Sequence, residues 1–242
     1  MIKRQVSALA VVCALGPGAA IAQQAGDWLV GAGWLHFAPQ DSSKPLTLTA
    51  PVPAVLPGAY ADVGSADTLG LNVIYFIDSH WAIEGVMGIP PKFKLTGIGT
   101  LERLGELGEA RQWSPTLLGR YYFNEGTDKF RPFVSLGGTY VWYSDVSLTT
   151  SLQGALGNQF HQPPLSTTTT AKLDSSFAPV VNVGVAYQFD PHWGVSLSVS
   201  YLWLKTTAKL TTTSAFGVPV GTSQSSLKVN PIVSYLSLTY KF

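Results

Sequence analysis

From residue 27 to the C-terminus, apolar residues recur at every second position rather than at helical spacing, the periodicity of strands. Trp193 to Lys205 is the clearest instance. Val195, Leu197, Val199, Tyr201 and Trp203 share one face, and Ser196, Ser198 and Ser200 share the other. The last segment repeats the pattern, with Leu236, Leu238, Tyr240 and Phe242 alternating with Tyr235, Ser237, Thr239 and Lys241. Eight such strands can be placed, at 27–37, 67–77, 81–95, 111–123, 131–146, 175–189, 193–209 and 224–242. Three connections are short: Asp78-Ser79-His80, Asn124 to Phe130, and Asp190-Pro191-His192. The other four, 38–66, 96–110, 147–174 and 210–223, are long. This alternation predicts an all-β fold, an eight-stranded antiparallel transmembrane β-barrel with short periplasmic turns and long extracellular loops.

That topology assigns every residue a depth. Outward aromatics should form two belts where the wall meets the membrane surfaces. Near the short turns stand Trp28, Tyr75, Trp81, Tyr121, Phe123, Tyr187, Phe189, Trp193, Tyr240 and Phe242. Near the other end stand Trp34, Trp113, Tyr140, Trp142, Tyr201 and Trp203. Small or aliphatic residues such as Leu71, Val73, Ile83, Gly85, Leu136, Val183, Leu197 and Leu238 lie between. A soluble sandwich has no reason to band its aromatics by height. Phe242, an aromatic residue ending an alternating strand, is the expected signal for the outer-membrane assembly machinery.

Composition agrees with the pattern. Only 12% of residues are charged, about half the usual share, and aromatics equal them at 12%. No stretch past the N-terminal leader suits a transmembrane helix. Residues 1–22 read as a signal peptide, with basic Lys3 and Arg4, an apolar run from Val6 to Leu15, and the small-residue site Ala20-Ile21-Ala22. Residues 23–242 then form the barrel, placed in the Gram-negative outer membrane and surrounded by its lipids. Cleavage removes Cys13, the single cysteine, and leaves 13 basic against 14 acidic side chains. No nucleic-acid partner, cofactor or metal is expected.

Inward parity gives two zones. Glu84, Arg120, Gln188 and Lys241 point inward near the periplasmic end, where buried charge must be paired or hydrated; they are expected to form a plug. Higher up, Leu35, Ile74, Val141, Val180, Leu202, Leu204, Leu227, Val229 and Val233 face the lumen. A water-filled pore would be polar there. Eight strands leave room for side chains or one small ligand, so a packed core and an apolar tunnel both remain open. A solute in a tunnel closed below would have to leave through the wall. Pro90, Pro91, Pro115, Pro179 and Pro231 each remove a ladder donor within predicted strands and are candidates for that exit, or simply for bulges.

Other signals carry less. Asp78 and His80, like Asp190 and His192, sit two apart, but both pairs fall in tight turns where Asp bonds its own backbone. A lipid-modifying enzyme would need a serine, a histidine and an acid at one rim; His36, Asp41 and Ser42 are candidates, with His161 in a long loop. The run Thr167 to Thr170 reads as polar loop filler. A structural or adhesive barrel with a solid core is the further alternative.

The stretch WSPTLLGRYYFNEGTDKFRPFVSLGGTYVWYSDV, Trp113 to Val146, resembles the OmpW family of outer-membrane proteins. The shared features are Pro115-Thr116-Leu117, Tyr122-Phe123, Arg131-Pro132-Phe133-Val134, Gly137-Gly138 and Trp142-Tyr143-Ser144-Asp145. Segments 68–95, 175–210 and 227–242 resemble the family's second and third, sixth and seventh, and closing strands. The resemblance implies an eight-stranded barrel with a hydrophobic lumen and passive uptake of small hydrophobic molecules, with lateral release through the wall, as in the family's alkane-uptake members. Asn230 stands where relatives often carry Asp, and loops 38–66 and 147–174 match nothing familiar.

Overall fold

The computed structural model describes residues 23–40, 42–163 and 166–242. The expected leader, 1–22, and Asp41 lie outside the described residues. In chain order the elements are β1 (Trp28–Ala38), β2 (Ser42–Ser43), β3 (Thr47–Ala50), β4 (Ala54–Val55), β5 (Ala59–Val63), β6 (Ala66–Phe76), β7 (Trp81–Gly88), β8 (Lys92–Gly99), a 3-10 turn (Glu102–Leu104), β9 (Glu106–Trp113), β10 (Thr116–Tyr122), β11 (Phe130–Leu148), α1 (Thr150–Gln159), β12 (Thr167–Leu173), β13 (Ser176–Gln188), β14 (Trp193–Leu202), β15 (Lys205–Ser214), β16 (Pro219–Lys228) and β17 (Ile232–Lys241).

Eight of these close a barrel. The antiparallel order β10-β7-β6-β1-β17-β14-β13-β11 returns on itself through the β10–β11 pair. Its first and last strands meet in continuous register, from Leu29 opposite Lys241 to Ala38 opposite Ile232. Closure leaves no open edge, which a chain in hydrocarbon requires because lipid cannot satisfy a backbone donor. Alternation sorts the side chains as the sequence predicts. Leu136 is 70% exposed and Val183 53%, whereas inward Val141 is fully buried. The belts form too: Trp81 lies 5.0 Å from Tyr121 and Trp193 5.0 Å from Tyr240 below, and Tyr201 lies 4.9 Å from Trp203 above.

The short turns follow local chemistry. Asp78 Oδ1 accepts the backbone N–H groups of His80 and Trp81, both at 2.7 Å. Asp190 Oδ1 does the same for His192 and Trp193 at 2.8 and 2.7 Å. Both carboxyls are held below the ordinary aspartate value chiefly by the N–H of the following tryptophan. These Asp-His pairs are turn devices.

At the other end the structure corrects the sequence reading. Four predicted strands break, at Ile89 to Pro91, Ser114-Pro115, Trp203-Leu204 and Val229 to Pro231, and each resumes as a separate strand. Proline removes the ladder donor in three of these breaks. In the last, Asn230 adopts a left-handed φ of 35°, a conformation asparagine tolerates better than most residues. The long outer connections therefore carry strands of their own. One sheet continues the wall as upper β11, β9, β8 and β5; the other is β12-β15-β16-β3-β4, with β2 on β16. The threonine run forms β12, paired residue for residue with Thr211 to Ser214. β-branched side chains suit a pleated surface, and Thr169 and Thr212 hydroxyls meet at 3.0 Å. Between the sheets lies an apolar core of Leu46, Ala59, Leu107, Leu152, Leu156 and Leu210. Helix α1 supplies two of those leucines and is N-capped by the Thr149 hydroxyl, which accepts from Leu152 N at 3.4 Å.

Candidate functional site

The floor of the bore is one hydrogen-bonded layer. Glu84 on β7 and Arg120 on β10 form an ion pair with both side chains almost fully buried. Asn72 Nδ2 donates to Glu84 Oε1 at 2.8 Å, and Tyr235 Oη donates to Asn72 Oδ1 at 3.0 Å. On the other side Arg120 donates to Ser135 Oγ (3.3 Å) and Tyr122 Oη (3.1 Å), with its guanidinium 3.8 Å from the Phe133 ring centroid. Ser135 donates to Asn182 Oδ1 at 3.2 Å, and Asn182 Nδ2 donates to Ser200 Oγ at 2.9 Å. Seven strands contribute a side chain. The eighth, β1, contributes Gly31, where a Cβ would collide with Asn72 Oδ1. A buried ion pair with its remaining donors and acceptors satisfied is tolerable where an isolated charge is not.

A second hydrogen-bonded layer lies beneath. Arg131 donates to Gln23 Oε1, to the Ser79 carbonyl and, at 3.1 Å, to the Asn124 carbonyl. Its guanidinium lies 4.4 Å from the Tyr122 ring, which stacks on Phe76 at 5.3 Å. Lys241 pairs with Asp27 at 2.6 Å, and Gln188 Oε1 accepts from Gln23 at 3.4 Å. The four expected plug residues thus divide: Glu84 and Arg120 in the upper layer, Gln188 and Lys241 in the lower. The sequence reading missed Asn72, Asn182 and Arg131, although inward parity marks all three.

Above the floor the expected lumen residues fall into two groups. Leu35, Val180, Leu202 and Val233 pack with Phe37, Phe93 and Leu118. Val141, Leu204, Leu227 and Val229 pack higher, near Tyr143. Ile74 belongs to neither. It packs with Leu29, Phe76, Ala82, Tyr122 and Phe133 at the base, because its position on β6 is level with Glu84.

Three cavities stand in series. The outermost, about 80 Å³, lies between the two outer sheets among Leu46, Leu95, Leu107, Leu152 and Leu210. A middle one of about 20 Å³ shares Leu95, Ala110, Leu173 and Leu227 with it. The lowest, about 60 Å³, sits directly above Glu84 and shares Gln112 with the middle one. Phe93 lines the middle cavity and Phe37 the lowest; their rings meet edge-on at 5.8 Å and form the constriction between them. The interior is neither a solid core nor a continuous tube.

The lowest cavity also reaches the wall. Its lining includes Met87 and Ile89, which are 53% and 57% exposed on the outer face. There the β7–β10 ladder stops at Val86 opposite Thr116. Pairing resumes at Gln112, whose N–H donates to the Pro91 carbonyl at 3.1 Å, and at Lys92 opposite Arg111. Ile89 bonds instead to Leu69 on β6, and Pro115 accepts from Tyr140 and Thr139 on β11. Residues 87–90 and 113–115 are therefore each held by their far neighbour and not by one another. Pro90, Pro91 and Pro115 flank this gap. Pro179 and Pro231 do not; their carbonyls accept from Trp203 and Leu202 at 3.1 and 3.2 Å and bridge the other break.

Of the enzyme candidates, Asp41 lies outside the described residues, and the others sit on separate elements. His36 Nδ1 pairs with Asp67 at 2.8 Å, and Trp34 Nε1 donates to the same oxygen. Ser42 lies in β2, and His161 follows α1.

A closed eight-stranded barrel with an apolar outer face and two aromatic belts defines an outer-membrane β-barrel protein. The sequence profile of the OmpW family matches residues 24–242, and the chain belongs to that family. It is 30% identical to outer membrane protein W of Vibrio cholerae over the full length of both chains. It is 26% identical to outer membrane protein AlkL of Ectopseudomonas oleovorans, over 77% of this chain and 71% of the other. The crystal structure of OprG from Pseudomonas aeruginosa superposes with a TM-score of 0.78 at 28% identity, covering 91% of this chain and 98% of that one.

Proposed function

We propose that this barrel passes small hydrophobic molecules from the cell exterior to the lipid side of its own wall. The observation that carries the reading is the series of apolar cavities running from between the outer sheets to a polar floor, with the lowest meeting a gap in the strand ladder. A solute partitions into the outer chamber because apolar surface leaves water there. It advances past Phe93 as side chains move. Straight passage is unfavourable, since a hydrophobic molecule cannot replace the hydrogen bonds of the Glu84–Arg120 layer. The opening at residues 87–90 and 113–115 offers an apolar way out, past Met87 and Ile89 into the bilayer. Transport is passive, and no side chain undergoes chemistry.

The experiment compares uptake of a small alkane or an unsubstituted aromatic by cells lacking the protein and by cells producing it. Faster uptake with the protein is expected. Equal uptake, with the barrel folded in the membrane, would refute the reading.

A further inference from the structure

The two outer sheets differ sharply in charge. The segments that build the first, 59–63, 92–113 and 142–148, hold four basic and five acidic residues. They pair them: Lys92 with Glu109 at 2.8 Å, Lys94 with Glu106 at 3.0 Å and Arg111 with Asp145 at 3.0 Å. The segments that build the second, 42–58, 166–176 and 204–228, hold five lysines and one carboxylate. Asp174 pairs with Lys209 at 2.7 Å. Among the described residues Lys44, Lys172, Lys205 and Lys228 have no carboxylate partner. Adding Asp41, which lies outside the described residues, still leaves five cations to two anions in a chain whose formal charge is only +1.

Strand register aggravates the imbalance. Lys205 stands directly opposite Lys228, and Lys172 directly opposite Lys209. Like charges facing each other across a strand pair are destabilising unless something neutralises them. Lys205, Lys209 and Lys228 are on the outer face, since their neighbours Thr206, Leu210 and Leu227 are buried, and Lys172, itself exposed, shares that face opposite Lys209. A groove of about 470 Å³ runs between Lys44, Lys205 and Lys228, lined with Thr207 and Ser226, with the Asp174 carboxylate also on its wall.

Height selects the anion. Lys205 is two residues beyond Trp203, and both are exposed with buried Leu204 between them, so it stands just beyond the tryptophan. Trp203 and Tyr201 belong to the upper aromatic belt, which marks the headgroup level of the outer leaflet. A basic cluster beside a membrane attracts anionic headgroups. We propose that this face binds the phosphate groups of outer-leaflet lipid headgroups, with the Lys205–Lys228 pair at its centre. The phosphate accepts from both ammonium groups and from nearby hydroxyls, which turns a repulsive strand pair into a bridged one.

The test uses the full chain refolded in neutral detergent micelles. Binding of a bis-phosphorylated lipid A is measured against its dephosphorylated form and against inorganic phosphate. Wild type should prefer the phosphorylated lipid, with binding that weakens as salt is raised. The K205Q/K228Q variant should bind it about tenfold more weakly, while K92Q, on the neutral sheet, should bind like wild type. In phosphate-free detergent the double variant should unfold at the wild-type temperature or above it, because a repulsion has been removed. If the double variant does not fold, the single variants K205Q and K228Q carry the same comparison. Equal binding of wild type and variants, or no preference for the phosphorylated lipid, would overturn the proposal. Inorganic phosphate binding as tightly as the lipid would overturn the assignment to headgroups.

Discussion

Phe93→Ala tests the bore most directly. The ring stands between the middle and lowest cavities, about 20 and 60 Å³, edge-on to Phe37 and buried. Removing it leaves additional space on the order of 100 Å³, and a cavity of that size costs about 2.4 kcal/mol at roughly 24 cal/mol per Å³ before any lost transfer energy. The total should fall near about 3–5 kcal/mol, the usual range for such a truncation. Both cavities then merge and the narrowest point disappears. Uptake of a small alkane should rise several-fold, because passage no longer waits for Phe93 to move. Phe93→Leu, which keeps most of the bulk, should remain near wild type. Uptake by whole cells, normalised to folded barrel judged by its heat-dependent gel mobility, provides the comparison. If folded Phe93→Ala took up alkane no faster than wild type, the constriction would not lie on the route, and the three cavities would be packing defects.

Further outcomes follow from the same geometry. Ser114→Trp, which sets an indole into the gap beside the lowest cavity, should slow uptake while leaving solute binding in the outer chamber unchanged; unaltered uptake would place the exit elsewhere. Glu84→Gln leaves the buried Arg120 charge without its counter-ion and should cost about 3–5 kcal/mol, whereas replacing both with leucine should cost less, as urea unfolding in micelles would register. Asp78 and Asp190 have carboxyls depressed by backbone N–H groups, so their stabilisation is present above the unfolded aspartate value near 3.8 and is lost as pH falls through the folded one. The D78A/D190A variant should therefore be less stable than wild type at neutral pH, and the difference should shrink on acidification below about pH 4; a constant difference would exclude the carboxylates as its source.

The sequence by itself determined the barrel. In a two-sided wall the side-chain period is two, so the order of residues alone separates lipid from lumen. Strand number, short turns, both belts and the inward positions of Glu84 and Arg120 were all readable from parity and spacing. What parity cannot give is the partner of a side chain. Arg120 meets Glu84 because β7 and β10 are neighbours, yet Lys241 reaches Asp27 and Gln188 reaches Gln23 one layer lower. Its face alone points Ile74 to the lumen, whereas its level with Glu84 puts it in the base. Pro90, Pro91 and Pro115 flank an interruption of the ladder while the break at Pro179 and Pro231 is bridged, a difference that depends on which neighbouring strand supplies the hydrogen bond. The outer sheets were least legible. Their polar threonine and serine strands have no hydrocarbon to face, so they lack the apolar alternation that betrayed the wall, and only folding showed that they enclose a chamber. The order of residues fixes which face each side chain takes, but contact, and with it the placing of the cavities, is decided where distant strands are brought to the same height.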